Sequence, residues 1–321
     1  MSEINILITS CGRRVELVKE FRRAKEELHI DGSIVCSDMS PNAPALYFAD
    51  KRELVPAIRS DKYIDRLIEI IKANNIALVV PTIDTELEKL SSSRERIEKE
   101  TGAKVLISSP EVIDICNNKI LSAKFFKDNA FGVPYTLSDS EIRGGYYKLP
   151  LFIKPKDGSS SINAFKINTA KELEFFYDYI DNPIVQECVT GVEYTVDCFI
   201  DFDGNIISIV PRKRLATRSG EILKGEIDLN KNIIADVKRL LTVLKPIGHI
   251  TVQGFYGDDG VFRYIEINPR FGGGAPMSIK AGANSCKWLY TLLSGKNIDM
   301  NFEVKDKCIF SRFDDCIMIN K

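Results

Sequence analysis

Glu266, Asn268 and Arg270 stand two residues apart within Tyr264-Ile265-Glu266-Ile267-Asn268-Pro269-Arg270. Their types and spacing suit chemistry on a phosphorylated substrate. Apolar and polar residues alternate, which predicts a β-strand with Tyr264, Glu266 and Asn268 on one face and Ile265 and Ile267 on the other. A carboxylate and a carboxamide then project together as hard oxygen ligands. That set fits Mg²⁺, which takes one or two carboxylates alongside substrate phosphates. Pro269 has no N–H for a sheet ladder and ends the strand. Arg270 follows as a fixed positive charge where a phosphoryl group would be handled.

Three further clusters could serve the same chemistry. The turn Gly257-Asp258-Asp259-Gly260 joins a preceding strand to this one. It places Tyr256 opposite Val261 and Gln253 opposite Tyr264, so Gln253 would share the face of Glu266 and Asn268, unless the register slips by one residue. An apolar strand, Leu151-Phe152-Ile153-Lys154-Pro155, ends on Lys154 and runs into a small-residue loop that includes Ser159 and Ser160. Backbone N–H groups of such a loop can wrap polyphosphate oxygens beside a lysine point charge. An ordinary turn is the other reading, since the Walker spacing is absent. In the third cluster, Gln186, Glu187, Cys188 and Val189 form a strand edge able to offer a carbonyl and an N–H to an adenine. Glu193 could bind ribose hydroxyls, although both glutamates also fit as ordinary surface acids.

These residues need elements to hold them. Strands are expected at 4–9, 33–37, 76–80 and 104–107, alternating with helices at 14–28, 61–73 and 85–100. Apolar strands separated by helices predict a parallel sheet covered on both faces over residues 1–114, with ligands beyond the strands' carboxyl ends. The loops there carry Arg13, Arg14, Asp84 and Glu86, which either face a ligand or cap helices. Gly12 opens the first helix, but one glycine does not make the three-glycine dinucleotide fingerprint. From about residue 115 the pattern changes to an α+β arrangement. A helix is expected over 117–129, with helices also at 171–180, Lys231–Leu244 and 286–293, among strands joined by hairpin-length turns. The Lys- and Arg-rich run 211–228 lacks strong periodicity and is expected to be a mobile loop or lid.

Bulk properties exclude several classes. Charged residues make up 28% of the 321 and the net charge is −1, so no bulk field draws nucleic acid or an anionic membrane. No apolar run approaches the roughly 18–20 residues of a membrane span, and the start is not a signal peptide. The eight cysteines include no C-x-x-C pair, and only two histidines are present. Reduced thiols in a cytoplasmic enzyme are expected, Cys188 and Cys198 among them as core residues.

Taken in order, these clusters resemble the ATP-grasp superfamily, in particular the ATP-grasp module of carbamoyl-phosphate synthase large chains and related carboxylate–amine ligases. The resemblance runs to about residue 295, and its most specific element is E-x-N-P-R at Glu266, Asn268, Pro269 and Arg270. It implies a Rossmann-like domain followed by a two-lobed ATP-grasp domain over 115–321. Residues from about 150 to 190 would cover the nucleotide, and 191–321 would hold metal and substrate. Lys119 matches the family's first ATP-contacting lysine, although Asn118 stands where an aspartate usually precedes it. Lys154 matches the lysine before the loop, which has serines where many members have glycines. Glu187 and Val189 would hold adenine, Glu193 ribose, and Gln253, Glu266 and Asn268 the Mg²⁺, with Mn²⁺ as an alternative ion. Arg270 would lie beside the transferred phosphoryl. A further phosphate contact would come from Arg212, Lys213, Arg214 or Arg218, with Lys213 and Arg214 as candidates.

The implied activity is ADP-forming activation of a small carboxylate, plausibly an amino acid, for attack by an amine. Carboxyphosphate or carbamate phosphorylation is the enzymatic alternative, and a nucleotide-binding regulator without turnover is the rival from another class. A homodimer is among the assemblies the resemblance allows. The turn Phe271-Gly272-Gly273-Gly274, followed by Ser278 and Lys280, would lie near the acceptor carboxylate.

Overall fold

The computed structural model describes residues 3–156, 163–218 and 220–319. Strands β1 (Asn5–Thr9), β2 (Ile34–Asp38), β3 (Lys51–Leu54), β4 (Ile76–Pro81) and β5 (Lys104–Val105) form a parallel sheet in the order β3-β2-β1-β4-β5. Every residue of β1 and β2 is buried, because helices cover both faces and both sides of each central strand must be apolar or internally satisfied. Helix α1 (Val15–Glu27) lays Leu17, Val18, Phe21 and Ala24 on the sheet, spaced as one helical face requires. Helices α2 (Tyr63–Ala73) and α3 (Leu87–Thr101) complete this layer. The strand order reverses between β1 and β4, and the crevice at their carboxyl ends is where ligands bind in such sheets. Arg13 and Arg14 follow β1 there, and Asp84 follows β4.

That crevice has a rigid floor. Glu86 is buried and accepts hydrogen bonds from Thr9 Oγ1 (3.0 Å), Ser10 Oγ (2.9 Å), Tyr63 OH (2.8 Å) and the Thr82 N–H (3.0 Å). Burial pushes its carboxyl pKa upward against those bonds. Glu86 therefore ties the loops after β1 and β4 together and does not face the cleft. Asp84 caps nothing, in contrast to one of the two readings of it: no side-chain cap is made at α3 or at the 3₁₀ turn Asp84–Glu86 that precedes it.

Helices α4 (Pro110–Asn117) and α5 (Lys119–Asp128) replace the single helix expected at 117–129. Asn118 separates them because it is extended, and its side chain caps α5 by accepting from the Ile120 and Leu121 N–H groups. Helix α6 (Asp139–Gly144) leads into a small antiparallel sheet, order β7-β6-β8, made of β6 (Leu151–Pro155), β7 (Phe165–Ile167) and β8 (Pro183–Glu187) and backed by α7 (Ala170–Tyr179). It has its own core of Leu151, Ile153, Ile167, Leu173, Ile180 and Val185.

The third sheet is antiparallel in its entirety. Its strands are β9 (Val192–Ile200), β10 (Ile206–Arg218), β11 (Glu221–Ile227), β12 (Gly248–Tyr256), β13 (Phe262–Asn268) and β14 (Ile309–Ser311), ordered β13-β12-β9-β10-β11-β14. Helix α8 (Lys231–Leu244) packs on one face, and α9 (Ala275–Lys280) and α10 (Ser285–Leu293) join this sheet to the first. Phe271 and Tyr290 meet Phe21 of α1 edge-on at 5.9 and 6.1 Å, so the two sheets share one core. The run 211–228, expected as a loop or lid, is instead the β10–β11 hairpin. Its charges hide the strand period because they are paired, several of them inside the protein. No helix of the described residues is long and apolar enough to cross a membrane. All eight cysteines are free; Cys198 is buried, but Cys188, expected in the core, is partly exposed just past β8.

Candidate functional site

A bulge at Ile265 builds the central feature of the site. The pairing of β12 with β13 shifts between Gln253 and Gly254, so Tyr264 pairs with Gly254 and Glu266 with Gln253. Strict alternation put Tyr264 on the face of Glu266, and the extra residue undoes that. Tyr264 and Ile267 both enter the core, where Tyr264 stacks on Phe126 at 5.2 Å and donates to Asp236 at 2.7 Å. Glu266 turns outward, and Asn268 Nδ2 donates to its Oε1 at 2.9 Å. Gln253 therefore pairs with Glu266 and not with Tyr264 as expected, and Tyr256 pairs with Phe262 and not Val261.

The row continues across the sheet. Gln253 pairs with Thr195, and Thr195 pairs with Arg212. Cross-strand partners share a face, so Glu266, Gln253, Thr195 and Arg212 lie side by side. Arg214, two residues on, joins that face: it donates to Thr195 Oγ1 at 3.3 Å and to the Gly220 carbonyl at 2.7 Å, with Nε 3.0 Å from Glu193. Lys213 lies on the opposite face, paired with Asp228 at 3.1 Å and Glu226 at 3.4 Å. Of the two candidates for an extra phosphate contact, only Arg214 shares the face of Glu266 and Gln253.

The lysines arrive from elsewhere. Lys119 begins α5, and its Nζ donates to the Pro155 carbonyl at 3.1 Å. Lys154 sits near the end of β6. Its pKa is lowered, chiefly by burial and then by the charge of Lys119, while Glu266 opposes the shift. Lys119 on its helix and Glu266 on the larger sheet thus both lie near enough to Lys154 to act on it. The expected phosphate-loop residues Ser159 and Ser160 lie outside the described residues.

At the end of β8 the Glu187 N–H donates to the Tyr135 carbonyl (2.9 Å), its Oε1 accepts from the Tyr135 N–H (3.1 Å), and the Cys188 N–H donates to the Pro150 carbonyl (3.4 Å). Gln186 donates to Thr136 Oγ1 at 3.0 Å. The loop before α6 therefore flanks this edge, and its N–H groups at 187 and 188 are already used. Val189 is the next residue along. Glu193 opens β9 beside Arg214.

Beyond β13, Arg270 pairs with Asp84 at 2.6 Å, linking the end of that strand to the crevice of the first sheet. The glycine turn is packed against side chains: a Cβ at Gly272 would stand 2.7 Å from Thr251 Oγ1, at Gly273 2.7 Å from Arg14 Nη1, and at Gly274 2.5 Å from Arg212 Nη2. Under it lies a buried polar group that the sequence did not disclose. Asp197 accepts from Ser278 Oγ at 2.5 Å and from Arg212 Nη2 at 3.2 Å, and His249 Nε2 is 3.7 Å away. Asp197 is held at about 2, as Arg212 and His249 outweigh its burial. His249 also stacks on Phe271 at 4.3 Å. Only the two-residue spacing of Arg212 and Arg214, read as a strand, could have pointed to this group.

Among the described residues, no three His, Cys, Asp or Glu side chains cluster to hold a metal. A single carboxylate with two amide oxygens fits Mg²⁺ only if phosphate oxygens complete the shell. That is the donor set expected where the ion arrives with a nucleotide.

The arrangement of a crevice-forming parallel sheet, a small antiparallel sheet bearing Lys154 and a larger one bearing Glu266 and Asn268 has close parallels. The model for "PylC-like, N-terminal domain" matches residues 6–106, and "ATP-grasp in the biosynthetic pathway with Ter operon" matches 180–314. The larger of these two matches, over residues 180–314, is to an ATP-grasp model. D-alanine–D-alanine ligase of Francisella tularensis subsp. novicida is 24% identical over 199 residues, covering 58% of this chain and 66% of that one. The match thus spans just under two thirds of that relative. N5-carboxyaminoimidazole synthetase of Staphylococcus aureus complexed with ADP superposes with a TM-score of 0.75 at 15% identity, over 97% of this chain and 83% of the other. Biotin carboxylase of Campylobacter jejuni gives 0.72 at 16% identity, over 94% and 74%. The ATP-grasp fold therefore extends over nearly all of this chain.

Proposed function

We propose that this protein is an ADP-forming, ATP- and Mg²⁺-dependent ligase that activates a small carboxylate as an acyl phosphate for attack by an amine. The observation that carries this reading is the convergence of Lys119, Lys154 and Glu266, with Gln253 and Asn268 beside Glu266. Two ammonium groups close together suit a polyphosphate, and the oxygen ligands next to them suit the ion that accompanies it. The named function of the D-alanine–D-alanine ligase relative points the same way.

In this reading Lys119 and Lys154 bind the phosphates of ATP, and the strand edge at 186–189 and Glu193 hold adenosine. Glu266, Gln253 and Asn268 would hold Mg²⁺ (or Mn²⁺, which takes the same hard ligands), and the ion would neutralise charge on the transferring phosphoryl. Arg270 and Arg214 orient the acceptor and stabilise charge developing on it. The carboxylate oxygen attacks the γ-phosphorus and ADP leaves. The amine then attacks the acyl carbon and phosphate leaves. Neither step needs a protein nucleophile; both need positioning and charge neutralisation, which arginines and lysines supply.

A screen for ADP release with Mg²⁺-ATP across amino acids, amines and bicarbonate, with mass spectrometry of products, tests the reading. Glu266→Gln is expected to cut turnover by about 10²-fold, the scale of losing a preorganised electrostatic group. Bicarbonate-dependent ADP release without an amide product would replace this reaction with carboxyphosphate formation. Tight ATP binding without turnover on any carboxylate would favour a regulator.

A further inference from the structure

The loop after β1, the β10–β11 hairpin, the glycine turn and the chain just past β14 meet at a junction lined by guanidinium groups. Glu221, the first residue of β11, stands among three of them: 3.2 Å from Arg13, 3.9 Å from Arg14 and 3.4 Å from Arg312. Arg270 lies close enough to Arg14 to help lower its pKa, which burial chiefly holds at about 10. Beneath the turn, Arg212 is 1% exposed and bonded to Asp197, yet its Nε and Nη1 have no hydrogen-bond partner. Such buried unpartnered donors are costly unless something answers them.

The charges do not balance. Arg13, Arg14, Arg212, Arg270 and Arg312 are five cations, and their partners Glu221, Asp84 and Asp197 are three anions, which leaves an excess of two positive charges. Arg218 and Asp314 at the rim pair with each other and leave that excess unchanged. Clamping the loops together would require charge balance and no more. Furthermore, a Cβ at Gly273 or Gly274 would collide with Arg14 or Arg212. The backbone of the turn thus lies directly on the guanidiniums.

We propose that this junction binds a second anionic group of the substrate, carried by the same molecule whose reactive carboxylate is activated beside Arg270. Glu221 occupies the place of that group until it arrives. The inference rests on the ligase reading and narrows it to acidic substrates: a dicarboxylic or a phosphorylated amino acid, either of which offers the anion that planar arginine forks hold best. A substrate with a neutral side chain leaves Glu221 where it is and gains nothing from Arg14 or Arg312.

Calorimetric titration of the full chain without nucleotide, using alanine, glutamate, O-phosphoserine and inorganic phosphate, separates the possibilities. Glutamate or O-phosphoserine is expected to bind at least about tenfold more tightly than alanine, and the preference between them assigns a carboxylate or a phosphate source. Arg312→Gln and Arg14→Gln should each weaken that binding by about tenfold or more, and raise KM for the acidic substrate while leaving kcat nearly unchanged. Glu221→Gln should strengthen it several-fold, a gain that damage to the fold does not imitate. Equal affinity for alanine, or no gain in Glu221→Gln, overturns the inference and leaves the ligase reading standing. Binding of acidic probes without ADP release from any carboxylate retires the ligase reading and leaves the anion site.

Discussion

The two positively charged ends of the cleft are built on opposite plans. At the end that carries Lys119 and Lys154, burial and then the charge of Lys119 depress the pKa of Lys154, and Glu266 opposes the shift. At the crevice end, Arg13, Arg14, Arg270 and Arg312 each lie within 4 Å of a carboxylate of this chain. A buried lysine whose charged form is disfavoured marks a place where a polyanion can restore the charge. Charges answered from within mark a place where an incoming anion must compete. Capacity for a strong ligand characterises the first end, and discrimination among ligands the second.

Lys154→Met strikes hardest at this contrast, with an expected loss of about 10²–10³-fold in kcat/KM for ATP, on the scale of removing one preorganised charge. A loss below tenfold in an ADP-release assay would erase the distinction between the ends. Arg270→Lys should lower kcat by about 10–10²-fold, because a point charge replaces the planar guanidinium that holds Asp84 through Nη2 and, in the proposed reaction, would face the transferring group. Gly274→Ala tests the crevice end through stability. Its Cβ would stand 2.5 Å from the buried Arg212, so thermal unfolding should report a loss of about 1–3 kcal/mol.

The finest test is protonic. Lys154's folded pKa lies below the ordinary 10.5, so between the two values the unfolded chain binds more protons than the folded one. Holding that lysine charged costs stability at lower pH, and the cost fades as pH rises through 10.5. Phosphates restore the charged form. Nucleotide binding in that alkaline window should therefore take up a fraction of a proton, seen by calorimetry in buffers of differing ionisation enthalpy and absent in Lys154→Met.

Where side-chain period and burial agree, the fold was legible from the residues alone. The apolar strands β1, β2 and β4, the amphipathic α2 and α8, and the bounds of β13 all follow from pattern. Strand β3 was not visible: Lys51-Arg52-Glu53-Leu54 is an exposed edge whose pairing with β2 comes from tertiary structure. The β10–β11 hairpin was misjudged because its inward residues are arginines, and only Asp197 and Glu193, distant in sequence, make that tolerable. The bulge at Ile265 was likewise hidden, since E-x-N-P-R is the same text whether or not Tyr264 shares its face. His249 showed no partner, because Asp197 lies fifty-two positions earlier, on a neighbouring strand. The residues proposed as ligands could therefore be named by type, while their faces and counter-charges were not legible.

Lys154 on the small sheet feels the charge of Glu266 on the large one, and this has a thermodynamic consequence. A divalent ion arriving alone at Glu266 would meet the positive charge of Lys154. A nucleotide arriving alone would draw Lys154 toward its phosphates and leave Glu266 uncompensated. Arriving together, each ligand removes the obstacle to the other. By linkage each should then raise the other's affinity by the same factor, so that the ion and the nucleotide behave as a single ligand.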